Sequence, residues 1–324
     1  MDAAQSLDAV RRKIDAIDDA IHDLIMQRTE LIDTVSDLKR DMPIKIRPSR
    51  EAEIVYRLLA RHKGAFPRRE LTAIWRHLIM ATLSFEGPFS VAVFMPPSEA
   101  GYWDLARDHF GMFTPMSRHG SLRSVIEAVQ RQDAVVGVLP LPRSDDPDPW
   151  WRLLASDQPE VPRIIGRLPF AGPANGIGGG LEALTICPIS ITPTGRDRTY
   201  LAFDLTDRLS LDQCGRELAA SGLEPRSAAI WEQDHRPQSW LYLVEVEGCL
   251  APEDPRLAAA KEAFSNRMSH MTVIGGYATP LTLAELGPQP RPAALSAPPA
   301  PRPEVARSGA VAEHHFGSPT PEAP

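Results

Sequence analysis

Between Ser6 and Arg40 the chain carries neither proline nor glycine, and Leu7, Val10, Ile14, Ile17, Ile21, Leu24, Leu31, Val35 and Leu38 recur at spacings of three, four or seven. That period predicts one amphipathic helix with a single apolar stripe. At a rise of about 1.5 Å per residue it would be roughly 50 Å long. Two or three short local helices cannot cover such a stripe, so a partner chain is its natural cover.

Arg28 stands where the stripe from Leu24 to Leu31 should carry an apolar side chain. A cation facing a helical interface has to be paired with a carboxylate of the protein or of a ligand, unless it snorkels at the margin towards an acidic neighbour. Lys39 follows on the same face, about 16 Å further along the axis. Two cationic side chains at that separation can converge on one small dianion. Arg11 lies roughly 25 Å from Arg28. It reaches the same ligand only from an antiparallel partner helix.

Two further helices follow. Asp41 to Pro48 is a loop, after which Ser49 is a suitable N-cap and Glu51 and Glu53 suit the first turn of a helix running to about His62. Ile54, Leu58 and Leu59 are expected to cover the first helix. Pro67 to Glu86 reads as a third helix with Leu71, Ile74, Leu78 and Ala81 as its core stripe, and Thr82 and Glu86 share a face at i and i+4.

The pieces Val10-Arg11-Arg12-Lys13-Ile14-Asp15-Ala16-Ile17-Asp18, Gln27-Arg28, Leu38-Lys39, Arg50-Glu51, Trp75-Arg76-His77-Leu78-Ile79, Thr82 and Glu86 occur in an order and spacing that resembles the all-helical chorismate mutase family over about the first 87 residues. The resemblance implies an intertwined helical homodimer with two sites, each taking one arginine, Arg11, from the other subunit. It also implies substrate binding by Arg11, Arg28, Lys39, Arg47, Arg50, Glu51, Thr82 and Glu86, with Lys39, Glu86 and Arg28 as the catalytic groups. Arg50 would bind a carboxylate and Glu51 would accept from the ring hydroxyl. Three positions depart from the family pattern. Thr82 replaces a serine and keeps its hydroxyl. Glu86 replaces a glutamine and donates only when protonated. Arg47 replaces an aspartate whose contact is mainly through the backbone.

Beyond Gly87-Pro88 the period changes. Phe89–Met95 and Ala134–Leu139 read as strands, and Tyr102–Phe110 and Leu122–Gln130 as helices, an alternation that predicts a parallel α/β layer. This resembles the first lobe of prephenate dehydratase, with Pro140-Leu141-Pro142-Arg143-Ser144 at its characteristic turn. Thr185-Ile186-Cys187 stands near the family's Thr-Arg-Phe segment without its arginine, and Trp150 to Leu184 is too short for a full second lobe. The glycine-rich stretch from Pro169 to Gly180 has neither a P-loop lysine nor a GxGxxG pattern, so it reads as a surface loop. From Arg198 to Pro280 the elements read βαββαβ, a ferredoxin-like order that resembles an ACT domain, with Leu209-Ser210-Leu211 and Trp231-Glu232-Gln233 in place of the motifs of the phenylalanine pocket.

The expected architecture is therefore multidomain. An all-α mutase at 1–87 is followed by a degenerate dehydratase-like α/β lobe at 88–195 and an α+β ACT-like domain at 196–282. A disordered Pro/Ala tail completes it at 283–324. The 43% hydrophobic content suffices for several cores, and a net charge of −7 speaks against a general nucleic-acid surface. Cys187, Cys214 and Cys249 form neither a CxxC pair nor a metal-ligand cluster. With no signal-peptide core and no membrane-length apolar run, the reading is a soluble cytoplasmic enzyme without cofactor or metal. It would convert chorismate to prephenate as a homodimer formed through the N-terminal helices, with the ACT-like domain as a second candidate contact. A pyruvate lyase acting on isochorismate and a non-catalytic regulatory scaffold are the alternatives.

Overall fold

A computed structural model describes residues 7–38, 40–144, 146–173, 179–232 and 239–287. Three helices open the chain: α1 (Leu7–Leu38), α2 (Pro48–Arg61) and α3 (Arg68–Glu86). The long first helix is formed as its period predicts. Its stripe is bare: Ile14, Ile17, Ile21, Leu24 and Leu31 are all at least half exposed. Helix α2 begins one residue before the expected cap, because Pro48 is preset for a first turn. Ser49 instead accepts the backbone N–H of Thr192 at 3.0 Å.

Helix α2 does not cover α1. It packs on α3 and on the last strand of the chain, burying Ala52, Val55 and Leu59 against Phe170, Ala278, Leu281 and Leu286. The core face of α3 also differs from the expected stripe. Thr72, Arg76, Ile79, Met80, Thr82 and Leu83 are buried, whereas Ile74 is 54% exposed and Ala81 is exposed as well. The cause is that α3 packs against α1, α2 and α4, which together cover a side other than the Leu71–Ala81 stripe.

The rest of the chain builds one sheet. Its strands are β1 (Val91–Phe94), β2 (Met116–His119), β3 (Val136–Pro140), β4 (Arg163–Leu168), β5 (Ala183–Cys187), β6 (Asp197–Leu205), β7 (Pro225–Glu232), β8 (Trp240–Glu247) and β9 (Met268–Ala278). They lie in the order β2-β1-β3-β5-β4-β9-β6-β8-β7. Strands β2, β1 and β3 are parallel, connected through α4 (Gly101–Phe110) and α5 (Leu122–Gln130). Strand β5 runs antiparallel to both β3 and β4, so the region between Trp150 and Cys187, expected to hold no more than a truncated lobe, supplies two central strands.

Strands β6 to β9, with α6 (Leu211–Ala220) and α7 (Pro255–Phe264), form the expected βαββαβ unit, all antiparallel, in the order β9-β6-β8-β7. Leu201, Phe203, Tyr242 and Val244 face α6 and α7. Tyr200, Ala202 and Leu243 on the opposite face join a core with Trp150 and Trp151 of the α/β part. The two sheet portions meet at one register pair, Ile164 with Gly275. Gly275 has φ +119°, and a Cβ there would stand 2.2 Å from the Ile164 carbonyl oxygen, so only glycine permits the approach.

The tail begins later than its composition suggests. Thr282 caps a short helix, α8 (Leu283–Leu286), with a reciprocal Thr282–Glu285 capping box, and Leu286 is 4% exposed. The remainder of the expected disordered segment lies outside the described residues.

Candidate functional site

On the face shared by α1 and α3, three of the residues expected at the site come together. Arg28 Nη1 donates to Thr82 Oγ1 at 3.2 Å. The Thr82 hydroxyl in turn lies within reach of the Leu78 and Ile79 carbonyls at 3.0 and 2.9 Å, so its hydrogen is spent on the helix and a lone pair is left for the guanidinium. Burial lowers the Arg28 pKa, and the nearby charge of Glu86 works against that shift. Arg28 is thus a half-buried cation held by a neutral hydroxyl beside a carboxyl group.

The other expected residues make different contacts or are not described. Arg11 is exposed near the start of α1 and meets Asp8 at 3.6 Å. Lys39 lies outside the described residues. The Arg50 guanidinium is exposed and pairs with Glu53 at 3.1 Å. Arg47 is folded back onto its own loop, donating to the carbonyls of Ile44 and Ile46 at 2.9 and 2.7 Å. Its backbone N–H donates to Glu51 Oε1 at 3.4 Å, so the expected backbone contact with a ligand is already occupied.

Glu51 is engaged within the fold. Its carboxylate binds Arg76 Nη1 at 3.0 Å, with both side chains 8% exposed. Arg76 Nη2 in turn meets His109 Nε2 at 2.5 Å. Burial, and then the Arg76 charge, hold the His109 pKa well below its ordinary value. The imidazole is therefore neutral and accepts from the guanidinium. Through Arg76, Glu51 ties α2 to α3 and α4. Trp75-Arg76-His77 gave no sign of this, because the partner that defines it, His109, comes from a different part of the chain.

In the βαββαβ unit, the turn before α6 is closed by a buried leucine and a tyrosine. Leu209 is buried, its N–H donates to the Tyr242 hydroxyl, and that hydroxyl donates to the Leu209 carbonyl, both at 2.7 Å. Ser210 caps α6 in a reciprocal box with Gln213.

Bundle and site together define an all-helical module presenting a cation, a hydroxyl and a carboxyl on one face of paired helices. Residues 10–87 match the chorismate mutase type II family. The chain is also similar to the bifunctional chorismate mutase/prephenate dehydratases of Aquifex aeolicus (strain VF5), at 31% identity over 143 residues, and of Stutzerimonas stutzeri, at 27% over 152. These alignments cover 42% and 45% of this chain but only 39% and 41% of the relatives, so the chain matches about two fifths of their length. Among solved structures, prephenate dehydratase from Streptococcus mutans overlays with a TM-score of 0.43 at 13% identity, covering 59% of this chain and 98% of that one. A structure described as GqqA, a novel type of quorum quenching acylase, gives 0.45 at 17%, covering 60% and 96%.

Proposed function

We propose that the protein is a chorismate mutase acting as a homodimer through α1. The observation that carries this is the Arg28–Thr82 contact beside Glu86, lying inside the segment that matches the mutase family. The bare stripe of α1 supports the second copy, since six large apolar side chains, Leu7, Ile14, Ile17, Ile21, Leu24 and Leu31, face solvent in a single chain. An antiparallel partner helix would bring Arg11 of the partner subunit towards Arg28, and Lys39 and Arg50 would complete the cationic clamp. Glu51 is left out of the substrate shell.

The rearrangement is intramolecular and pericyclic, so the work reduces to two tasks. The clamp holds the flexible dianion in its compact reactive conformer. Lys39 and the Glu86 carboxyl face the ether oxygen, where Lys39 stabilises the negative charge that grows as the C–O bond breaks. The dehydratase-like lobe and the ACT-like unit then act as scaffold. Purified protein should consume chorismate and accumulate prephenate, followed by loss of chorismate absorbance, and should form no phenylpyruvate at a comparable rate. No loss of chorismate would favour the scaffold reading, and pyruvate release from isochorismate the lyase reading.

A further inference from the structure

The sheet face formed by β6, β8 and β7 meets the turn that follows β3 across a cavity of about 250 Å³. Tyr200 and Glu245, a register pair on β6 and β8 that are 4% and 3% exposed, line it together with Arg167 of β4. The charges of this wall are matched to one another. Arg167 donates through Nε and Nη2 to Glu182 at 3.1 and 2.8 Å and through Nη1 to the Tyr277 hydroxyl at 2.9 Å. Tyr277 donates in turn to Glu245, which also accepts from Ser227 at 2.9 Å. The Tyr200 hydroxyl stands outside this network and makes no hydrogen bond with any described residue. Nor is it sealed in, as the partnerless indole nitrogens of Trp150 and Trp151 are, so its oxygen keeps surface open to the cavity that the residue lines. A hydroxyl in so enclosed a position is normally matched by a hydrogen-bond partner.

We propose that this cavity binds a small neutral carboxamide with an apolar body. The carbonyl oxygen accepts from the Tyr200 hydroxyl, and the amide N–H groups donate to the hydroxyl oxygens of Ser144 and Ser227, which are exposed at the rim. The body lies against Leu141, Pro142 and Leu243. A net charge of either sign is disfavoured, because Glu245 meets an anion and Arg167 meets a cation, and each is already spent on partners within the fold. None of the lining residues belongs to the helices that carry Arg28 and Thr82, so the site stands independently of the mutase reading.

Calorimetry on the full chain at neutral pH with benzamide as the probe tests this. Benzamide should bind saturably. Benzoate and benzylammonium, bodies of similar size with a negative or a positive charge, should each bind at least about tenfold more weakly, because an unmatched charge is brought to an enclosed wall. Tyr200→Phe removes one oxygen and should weaken benzamide about tenfold, the effect of losing a hydrogen bond and leaving a carbonyl unpaired. Since that hydroxyl has no partner in the fold, the same variant should keep the wild type's thermal midpoint, which separates a ligand contact from a structural one. No saturable benzamide binding by the wild type, benzamide affinity unchanged in Tyr200→Phe, or either charged probe binding as tightly as benzamide would each overturn the proposal. A lowered midpoint in Tyr200→Phe would overturn it as well, by showing that the hydroxyl serves the fold.

Discussion

At the scale of single residues, the neutrality of His109 has a measurable consequence. In the unfolded chain a histidine takes up a proton as pH falls through about 6.5, whereas the folded chain holds His109 neutral well below that, because it is buried and faces Arg76. Below pH 6.5 the unfolded state therefore binds more protons, and stability falls with pH by up to about 1.4 kcal/mol per unit from this group. His109→Asn should flatten the acid side of a urea-stability profile between pH 7 and 5; a slope equal to the wild type's would show that His109 titrates normally. Glu86 carries a second test, this time of activity. Glu86→Leu removes every polar atom at nearly the same volume and should lower mutase kcat about 100- to 1000-fold, the usual cost of losing one such electrostatic group. An unchanged kcat would remove Glu86 from the ether oxygen. The conjunction of Arg28, Thr82 and Glu86 was legible from spacing and resemblance. The capture of Glu51 by Arg76 was not, since no local pattern announces a partner on another helix.

Among the elements, α1 carries the clearest test. Arg11→Ala and Arg28→Ala should each be nearly inactive, yet mixed dimers made by joint unfolding and refolding should recover activity at one of two sites, because one site in the hybrid draws both intact arginines. If mixing restores nothing, Arg11 does not act across the interface. Helices α4, α5 and α6 followed from their period because each buries one face and exposes the other. Strands β4 and β5 were missed for the opposite reason. Ala183–Cys187 is buried on both faces and offers no alternation to detect. The buried face of α3 was misplaced because its neighbours come from residues far along the chain.

For the whole molecule, the N-terminal helices are tied to the segment after β9: Tyr56 donates to the Thr279 carbonyl and Arg68 to the Glu285 carbonyl. In the ferredoxin-like unit, Leu209 and Tyr242 fill the turn where a glycine motif would admit a ligand backbone. Phenylalanine should accordingly show no micromolar binding by calorimetry, and a clear micromolar isotherm would refute a purely architectural unit. Among the described residues no helix is long and apolar enough to cross a membrane.

Joining two sheets at Ile164 and Gly275 also changes how the molecule meets its own kind in solution. Separate sheets would present four unpaired borders, each a template for runaway strand addition, and the seam uses up two of them. What remains is β2, four residues long with Arg118 and His119, and β7, which opens with Pro225 and Arg226 and closes with Glu232. Brevity, proline and charge are the devices that blunt such borders. A side chain at position 275 would therefore do more than loosen the fold: by parting the seam it would uncover β4 and the long β9 together, turning a stability defect into a tendency to aggregate.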